Sequence, residues 1–340
     1  MRAAGPAGLC GETRRVWQGH GAWQTPAAMP APKLPSIDGC TEDSATTAGA
    51  ASPPGPPGEV AATPHATAPT RLRPLVELPA PRLARLRGVL TDIDDTLTLD
   101  GAIEPEALAA LQALAAAGVP VIAITGRPAG WSEPMVRAWP VLAIVAENGA
   151  VMLRRADDRP QGALQIDFTV DAATRAANLL RLQACAADIL ATVPGARLAE
   201  DSAGRLTDIA IDHSEFTQMG DEAIAAVVAT MRRHDLTATV SSIHINGWIG
   251  AHNKLSAARW AVRACLGVDF VADEWLYVGD STNDQLMFEH LPLSVGVANV
   301  ARFVAVMQSL PAYVTRAERG QGFAELATRL LGETCCRPDA

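Results

Sequence analysis

Two aspartates, Asp92 and Asp94, follow the apolar run Gly88-Val89-Leu90 and open the string Asp92-Ile93-Asp94-Asp95-Thr96. A buried strand that ends this way points both carboxylates to the same side of the chain. Strand ends on open α/β sheets are where such folds bind ligands. Two like charges so close repel unless a cation or a proton lies between them. Mg2+ is the simplest such cation, since it prefers carboxylate, carbonyl and water oxygens. An Asp-rich turn after a strand is also an ordinary way to start a loop, so the pair needs company before it means chemistry.

Three further segments supply it. Val121-Ile122-Ala123-Ile124 is a second apolar run and ends in Thr125-Gly126-Arg127. Trp275-Leu276-Tyr277-Val278 is a third and ends in Gly279-Asp280-Ser281-Thr282-Asn283-Asp284. Between them Lys254 opens a helical segment, 255–266. The chain uses arginine almost throughout and has one other lysine, Lys33. A compact ammonium contacts a phosphate oxygen or a carboxylate as a point charge, which the planar guanidinium does less well.

Together, in this order, the four segments resemble the haloacid dehalogenase-like superfamily of phosphohydrolases over residues 84–332. Asp92 and Asp94 match its first motif, Thr125 the second, Lys254 the third, and Asp280 with Asp284 the fourth. Asp95 is a departure, because most members carry Gly there. The resemblance implies a Mg2+-dependent phosphomonoester hydrolase working through an aspartyl-phosphate. Asp92 would be the nucleophile, already ionised at neutral pH and needing no base. Asp94 would protonate the leaving alkoxide and then activate water. Thr125, Gly126, Lys254 and Asn283 would bind the phosphoryl oxygens. Mg2+ would be held by Asp92, the Asp94 carbonyl and Asp280, and Asp284 would hold a metal-bound water or support Lys254.

The chain as a whole fits a small-molecule enzyme. Residues 1–80 hold Ser52-Pro53-Pro54-Gly55-Pro56-Pro57-Gly58 and few apolar clusters, so they are expected to be an unfolded tail. Trp17 and Trp23 stand out in it and could mark a binding segment. A chain starting near Pro81 should then fold like the whole. The formal charge of −9 falls in the remainder, which argues against a nucleic-acid partner. Six scattered cysteines, adjacent only at Cys335-Cys336, show no metal spacing and suit a reduced, cytoplasmic setting. No apolar stretch is long enough to span a bilayer. The expected partner is a phosphorylated small molecule, and the oligomeric state stays open.

The elements that must position these residues alternate. Segments 87–148 read strand, helix, strand, helix, strand; after Lys254 come helix 255–266, strand 275–279, helix 284–290, strands 293–297 and 312–315, and helix 323–331. Apolar strands alternating with helices indicate α/β architecture: a Rossmann-like parallel sheet covered on both faces. This gives a core of 84–150 and 251–332 and a short C-terminal tail, 333–340. The stretch 151–250 reads as an inserted, smaller α/β cap: strand 164–170, a helix from Asp171 to Val193, strand 205–212, helix 219–234 and strand 237–245. Such an insertion, with Glu147-Asn148-Gly149-Ala150 before it, resembles the α/β-capped sugar-phosphatase branch near sucrose-phosphate, trehalose-phosphate and mannosyl-3-phosphoglycerate phosphatases and phosphomannomutase. A phosphomutase needs the same nucleophile and is the main alternative. A non-catalytic relative would lack one of the motif residues. The Asp-x-Asp-Asp-Thr string also occurs in all-helical terpene cyclases, which have no use for the other segments. Specificity would come from the insertion, with Arg127, Arg205, Asp208, His244 and Asn246 as candidates. His213, His252, Trp131 and Trp248 are weaker ones, the tryptophans suiting a core or hinge.

Overall fold

In the computed structural model, residues 72–156 and 163–334 are described. In chain order the elements are β1 (Arg73–Pro74), α1 (Ala80–Leu83), β2 (Gly88–Thr91), β3 (Thr98–Leu99), β4 (Ala102–Ile103), α2 (Pro105–Ala116), β5 (Val121–Ile124), α3 (Ala129–Ala138) and β6 (Ala143–Ala146). Next come β7 (Val151–Arg155), β8 (Leu164–Phe168), α4 (Ala172–Thr192), β9 (Asp208–Asp212), α5 (Asp221–Arg233), β10 (Thr237–Val240) and β11 (His244–Trp248). The chain closes with α6 (Lys254–Leu266), β12 (Trp275–Gly279), α7 (Gln285–His290), β13 (Ser294–Gly296), β14 (Tyr313–Val314) and α8 (Arg319–Thr334).

A nine-stranded sheet runs in the order β1-β14-β13-β12-β2-β5-β6-β7-β8, parallel from β1 to β6 and antiparallel at β7 and β8. Its strands are apolar because both faces are covered. Val89, Val121, Ala123, Leu276 and Val278 join Leu111, Leu114, Phe323 and Leu326 of α2 and α8 on one face. Their alternates Leu90, Ile122, Ile124, Trp275 and Tyr277 meet Leu255, Ala258 and Val262 of α6, with Met287 and Phe288 of α7, on the other. Chain order reverses beside β2, so the crevice at the carboxyl ends of β2 and β12 is a topological switch point, where α/β sheets bind ligands.

The stretch expected to be wholly a cap divides in two. β7 and β8 extend the large sheet; only the part after them builds a separate sheet, β10-β11-β9. A half-exposed edge strand alternates like a cap strand, so the pattern could not assign it. α4 begins as expected at Asp171, whose carboxylate accepts from the Thr174 amide at 2.9 Å. The expected single strand 237–245 is instead a hairpin. The Ser241 hydroxyl accepts from the His244 amide at 3.0 Å and turns the chain there. Ile209, Ile211 and Ile245 pack on α4 and α5. Their alternates Asp208, Asp212, His244 and Asn246 form a buried polar face on the same sheet.

At the start of the fold the tail expectation is overturned in part. Residues 1–71, with Trp17, Trp23 and Lys33, lie outside those described, as do 335–340. Residues 72–80, however, are built in: β1 pairs with β14, Leu75 and Leu78 are in the core, and Arg329 donates to the Leu78 carbonyl at 2.9 Å. α8 also begins four residues before the expected start, at Arg319. A chain starting at Pro81 should therefore unfold more readily than the whole, contrary to the expectation from composition. Leu78→Ala alone, at a site 1% exposed, should cost about 2–5 kcal/mol in urea unfolding.

Candidate active site

Four segments meet at the switch point. The Asp92 amide donates to the Val278 carbonyl at 2.9 Å, which levels the ends of β2 and β12. Lys254 is fixed as the first residue of α6 by a reciprocal cap between Asn253 and Ser256, both bonds 2.9 Å. Its Nζ donates to Asp92 at 2.7 Å, Asp284 at 2.6 Å and the Asn283 side-chain oxygen at 3.3 Å. Asp284 also accepts from the Tyr277 hydroxyl at 2.5 Å and from the amides of Asp280 and Ser281 at 2.9 and 3.1 Å. A Cβ at Gly279 would overlap the Asp284 carboxylate, so this buttress needs glycine there. Of the two roles open to Asp284, support of Lys254 is visible in these contacts.

Asp92, Asp280 and Asp284 are buried and each offers a carboxylate oxygen within 4.8 Å of the others. One ammonium cannot neutralise three such groups. Burial, opposed by Lys254 and reinforced by Asp284 and Asp94, pushes Asp92 from 3.8 up to about 7, so the full ionisation at neutral pH expected from its free value is not met until a cation joins it. Burial together with Asp284 and Asp92 raises Asp280 well above the carboxylate range. Neutral donors soften the charge: Asn299 donates to Asp280 at 3.2 Å, and the Thr96 hydroxyl lies at 3.5 Å. An all-oxygen, anionic donor set of this kind fits a hard divalent cation such as Mg2+. The Asp94 carboxylate is not among these three, which leaves only its carbonyl for the expected role in metal binding.

Asp94 instead faces Arg127, whose Nε donates to both its oxygens at 3.0 and 3.1 Å. Burial raises the Asp94 carboxyl, with Arg127 opposing. The same guanidinium reaches Asp201 at 3.2 Å and Glu215 at 2.7 Å, and it lies over the Trp131 ring. His244 meets Glu215 at 2.7 Å. Thr125 accepts from the Arg127 amide at 3.0 Å, which leaves its own proton for another acceptor.

The inserted unit is tied down by buried polar contacts. Arg205 donates to Asp208 and to the Gly126 carbonyl, both at 2.9 Å, and to Asp201 at 3.0 Å. Asn246 donates to Asp208 at 3.3 Å and to the Gly126 carbonyl at 3.4 Å. Arg127, His244 and Asn246 line a narrow gap over Asp92. Arg205 and Asp208 line neither that gap nor the larger cleft beside it; as a buried ion pair they hold the unit rather than a ligand. His213 is bound to Ser214 and the Ser241 carbonyl. Trp248, the last residue of β11, stacks on His252 and donates to its carbonyl at 3.0 Å.

Two positions noted in the sequence take roles there that the sequence did not assign. Glu147 (φ 50) and Asn148 (φ 56) are left-handed, followed by Gly149 at φ 113, and this aims the Glu147 carboxylate across the interface. It accepts from the amides of Ala129, Leu206 and Thr207 at 3.1, 3.0 and 2.6 Å, and from the Thr207 hydroxyl. The segment Glu147-Asn148-Gly149-Ala150 was the signal. Asp95 explains its own departure from glycine: it sits at φ 54, a conformation Gly adopts freely and Asp tolerates. It is pinned there by Arg319 at 2.8 Å.

The fold is thus a mostly parallel α/β sheet whose strand ends gather a group of buried carboxylates. Residues 89–191 match the family model of haloacid dehalogenase-like hydrolases. Among solved structures it is similar to a Thermoplasma acidophilum protein (17% identity, TM-score 0.55, covering 72% of this chain and 98% of that one). It is similar also to the C-terminal domain of C. albicans trehalose-6-phosphate phosphatase (15%, 0.54, 74% and 96%). A third is the Synechocystis sucrose-phosphatase in complex with sucrose and phosphate (15%, 0.52, 72% and 98%). At these identities the likeness is one of fold. No curated protein sequence matches the chain. Among the described residues, no helix is long and apolar enough to cross a membrane.

Glu147→Ala would leave the buried Ala129 amide and the part-buried amides of Leu206 and Thr207 without this acceptor, so it should cost about 1–3 kcal/mol and speed hydrogen exchange at 206–207. The raised carboxyls make a second prediction. Folded Asp92 titrates near 7 and unfolded Asp near 3.8, so between these values the folded state binds more protons. In chelator, stability should therefore be greatest below about pH 4 from this group and decline toward pH 7. Mg2+ at pH 7–8 should raise Tm, and a Tm indifferent to both pH and Mg2+ would refute this account.

Proposed function

We propose that the chain is a phosphatase that hydrolyses phosphomonoesters of sugars or similar small metabolites through an aspartyl-phosphate on Asp92. The observation that carries this is the convergence of Asp92, Thr125, Lys254 and Asp280 from four separate segments onto one strand-end crevice. The Asp92 carboxylate attacks phosphorus, and the bond to the leaving oxygen breaks as Asp94 delivers a proton to it. Burial keeps Asp94 able to hold that proton, while Arg127 orients its two oxygens. Asp94 then takes a proton from the water that cleaves the phosphoaspartate and releases inorganic phosphate. Lys254, the Thr125 hydroxyl, the Gly126 amide and Asn283 bind the phosphoryl oxygens. Asp92, Asp280 and the Asp94 carbonyl would hold Mg2+, with Asp284 beside them supporting Lys254 or a metal-bound water; when bound, the ion offsets the repulsion between carboxylate and phosphoryl group.

The unit 171–250 acts as a cap over this crevice and excludes water during turnover. A sugar leaving group is supported by this insertion and by the fold shared with the two sugar-phosphate phosphatases. The cysteine usage supports a cytoplasmic setting.

Asp92→Asn should reduce phosphate release to background while Tm stays within a few degrees of the parent, because an amide cannot attack phosphorus. EDTA should suppress the parent's activity and Mg2+ restore it. Appreciable turnover by the variant would remove Asp92 from the mechanism. Transfer of phosphate between sugar hydroxyls, without release, would make the protein a mutase.

A further inference from the structure

The gap over Asp92, closed by the turn 241–243, is only about 10 Å3, room for about one water. Beside it lies a cleft of about 480 Å3, within the roughly 300–1,000 Å3 of small-molecule sites. The two share Asp94, Arg127, Ser242 and Ile243, so a group departing past Asp94 enters the larger space. Three elements wall it. The β3–β4 hairpin contributes Asp100, on a two-residue Asp-Gly turn with φ of 50 and 75. The cap contributes Phe216, which is 63% exposed and so has its ring free on the cleft side. The start of α8 contributes Arg319, itself left-handed at φ 49.

Charge decides what this cleft can take. Its lining has four carboxyl groups, Asp94, Asp95, Asp100 and Glu215, against three guanidiniums, Arg127, Arg302 and Arg319, so with Asp94 protonated for the first step the charges balance and no positive charge is in excess. Each guanidinium is also already matched: Arg127 by Asp94 and Glu215, Arg319 by Asp95 and Glu318, Arg302 by Glu318. A second anionic group on the substrate would meet no spare cation. Hydroxyl groups, in contrast, can donate to these carboxylates and accept from the guanidiniums without changing the balance. The apolar face of a ring can lie on Phe216.

Resting on the phosphatase reaction above, we infer that this cleft holds the leaving group as a neutral, polyhydroxylated ring, and that Phe216, Asp100 and Arg319 determine its specificity. The test compares kcat/KM for glucose 6-phosphate and trehalose 6-phosphate with 3-phosphoglycerate, whose leaving group is an anion, and with acetyl phosphate, whose leaving group is too small to reach Phe216. The better sugar phosphate should exceed 3-phosphoglycerate by at least about tenfold. Phe216→Ala should lower the ratio of sugar phosphate to acetyl phosphate by about tenfold, and Phe216→Trp should restore it. Asp100→Asn should narrow the discrimination against 3-phosphoglycerate. A parent enzyme that prefers 3-phosphoglycerate, or a Phe216→Ala variant that slows sugar and acetyl phosphates in proportion, would overturn the inference while leaving the phosphatase intact. Release from none of the four substrates would overturn both.

Discussion

Three buried carboxylates share a single ammonium, and much of the structure around β2 and β12 can be understood as managing that imbalance. Asp284 is the most heavily tethered of the three: Lys254, Tyr277 and two backbone amides donate to it, and Gly279 is bare so that it can sit there. Asp280 has weaker neutral donors, and Asp92 has Lys254. This gradient separates roles. The carboxylate with the most partners is held as part of the frame, and Asp92, with the fewest, is the one that the proposed mechanism uses as nucleophile. Such a cluster would be intolerable in a packed core without a cation or protons to share.

The second interface problem is to attach a small sheet over this site without sealing it in apolar packing. The solution is polar throughout. Arg127 joins Asp94 to Asp201 and Glu215, Arg205 grips the Gly126 carbonyl, and Glu147 receives backbone amides from both sides. Hydrogen-bonded charge pairs of this sort fix orientation sharply but contribute modest net stability. They suit a part that seats in one position, and the proposed cap role would require it to come away as well. Because Arg127 spans both parts, the orientation of Asp94 depends on where the cap sits.

How much of this was legible follows from what kind of signal each residue leaves. Asp92, Thr125, Lys254 and Asp280 stand at the ends of apolar runs, and strand ends are readable. The polar face of the small sheet was also readable, since Asp208, His244 and Asn246 alternate with Ile209, Ile211 and Ile245. The partners of Arg127 were not: Asp201 lies in a short 3-10 turn, Glu200–Gly204, and Glu215 in an irregular loop, where nothing in the local pattern says which way a side chain points. Glu147 acts through left-handed backbone that only the three-dimensional turn reveals. Leu75 and Leu78 were masked by the proline-rich stretch before them, and β7 and β8 alternate as a cap strand would. Long-range pairing decided each of these cases.

The strand order has a further consequence for biosynthesis. β2, which delivers Asp92, is flanked by β5, made soon after it, and by β12, made only after the entire inserted unit. β1 waits longer still, for β14, and the Leu78 carbonyl waits for Arg329 on α8. The small sheet, whose strands are close in sequence, can form on the ribosome while the strand carrying Asp92 still has one open edge. Such delayed pairing leaves apolar edges exposed to other chains. Expression at low temperature or with chaperones should therefore change the soluble yield of this protein more than its final stability.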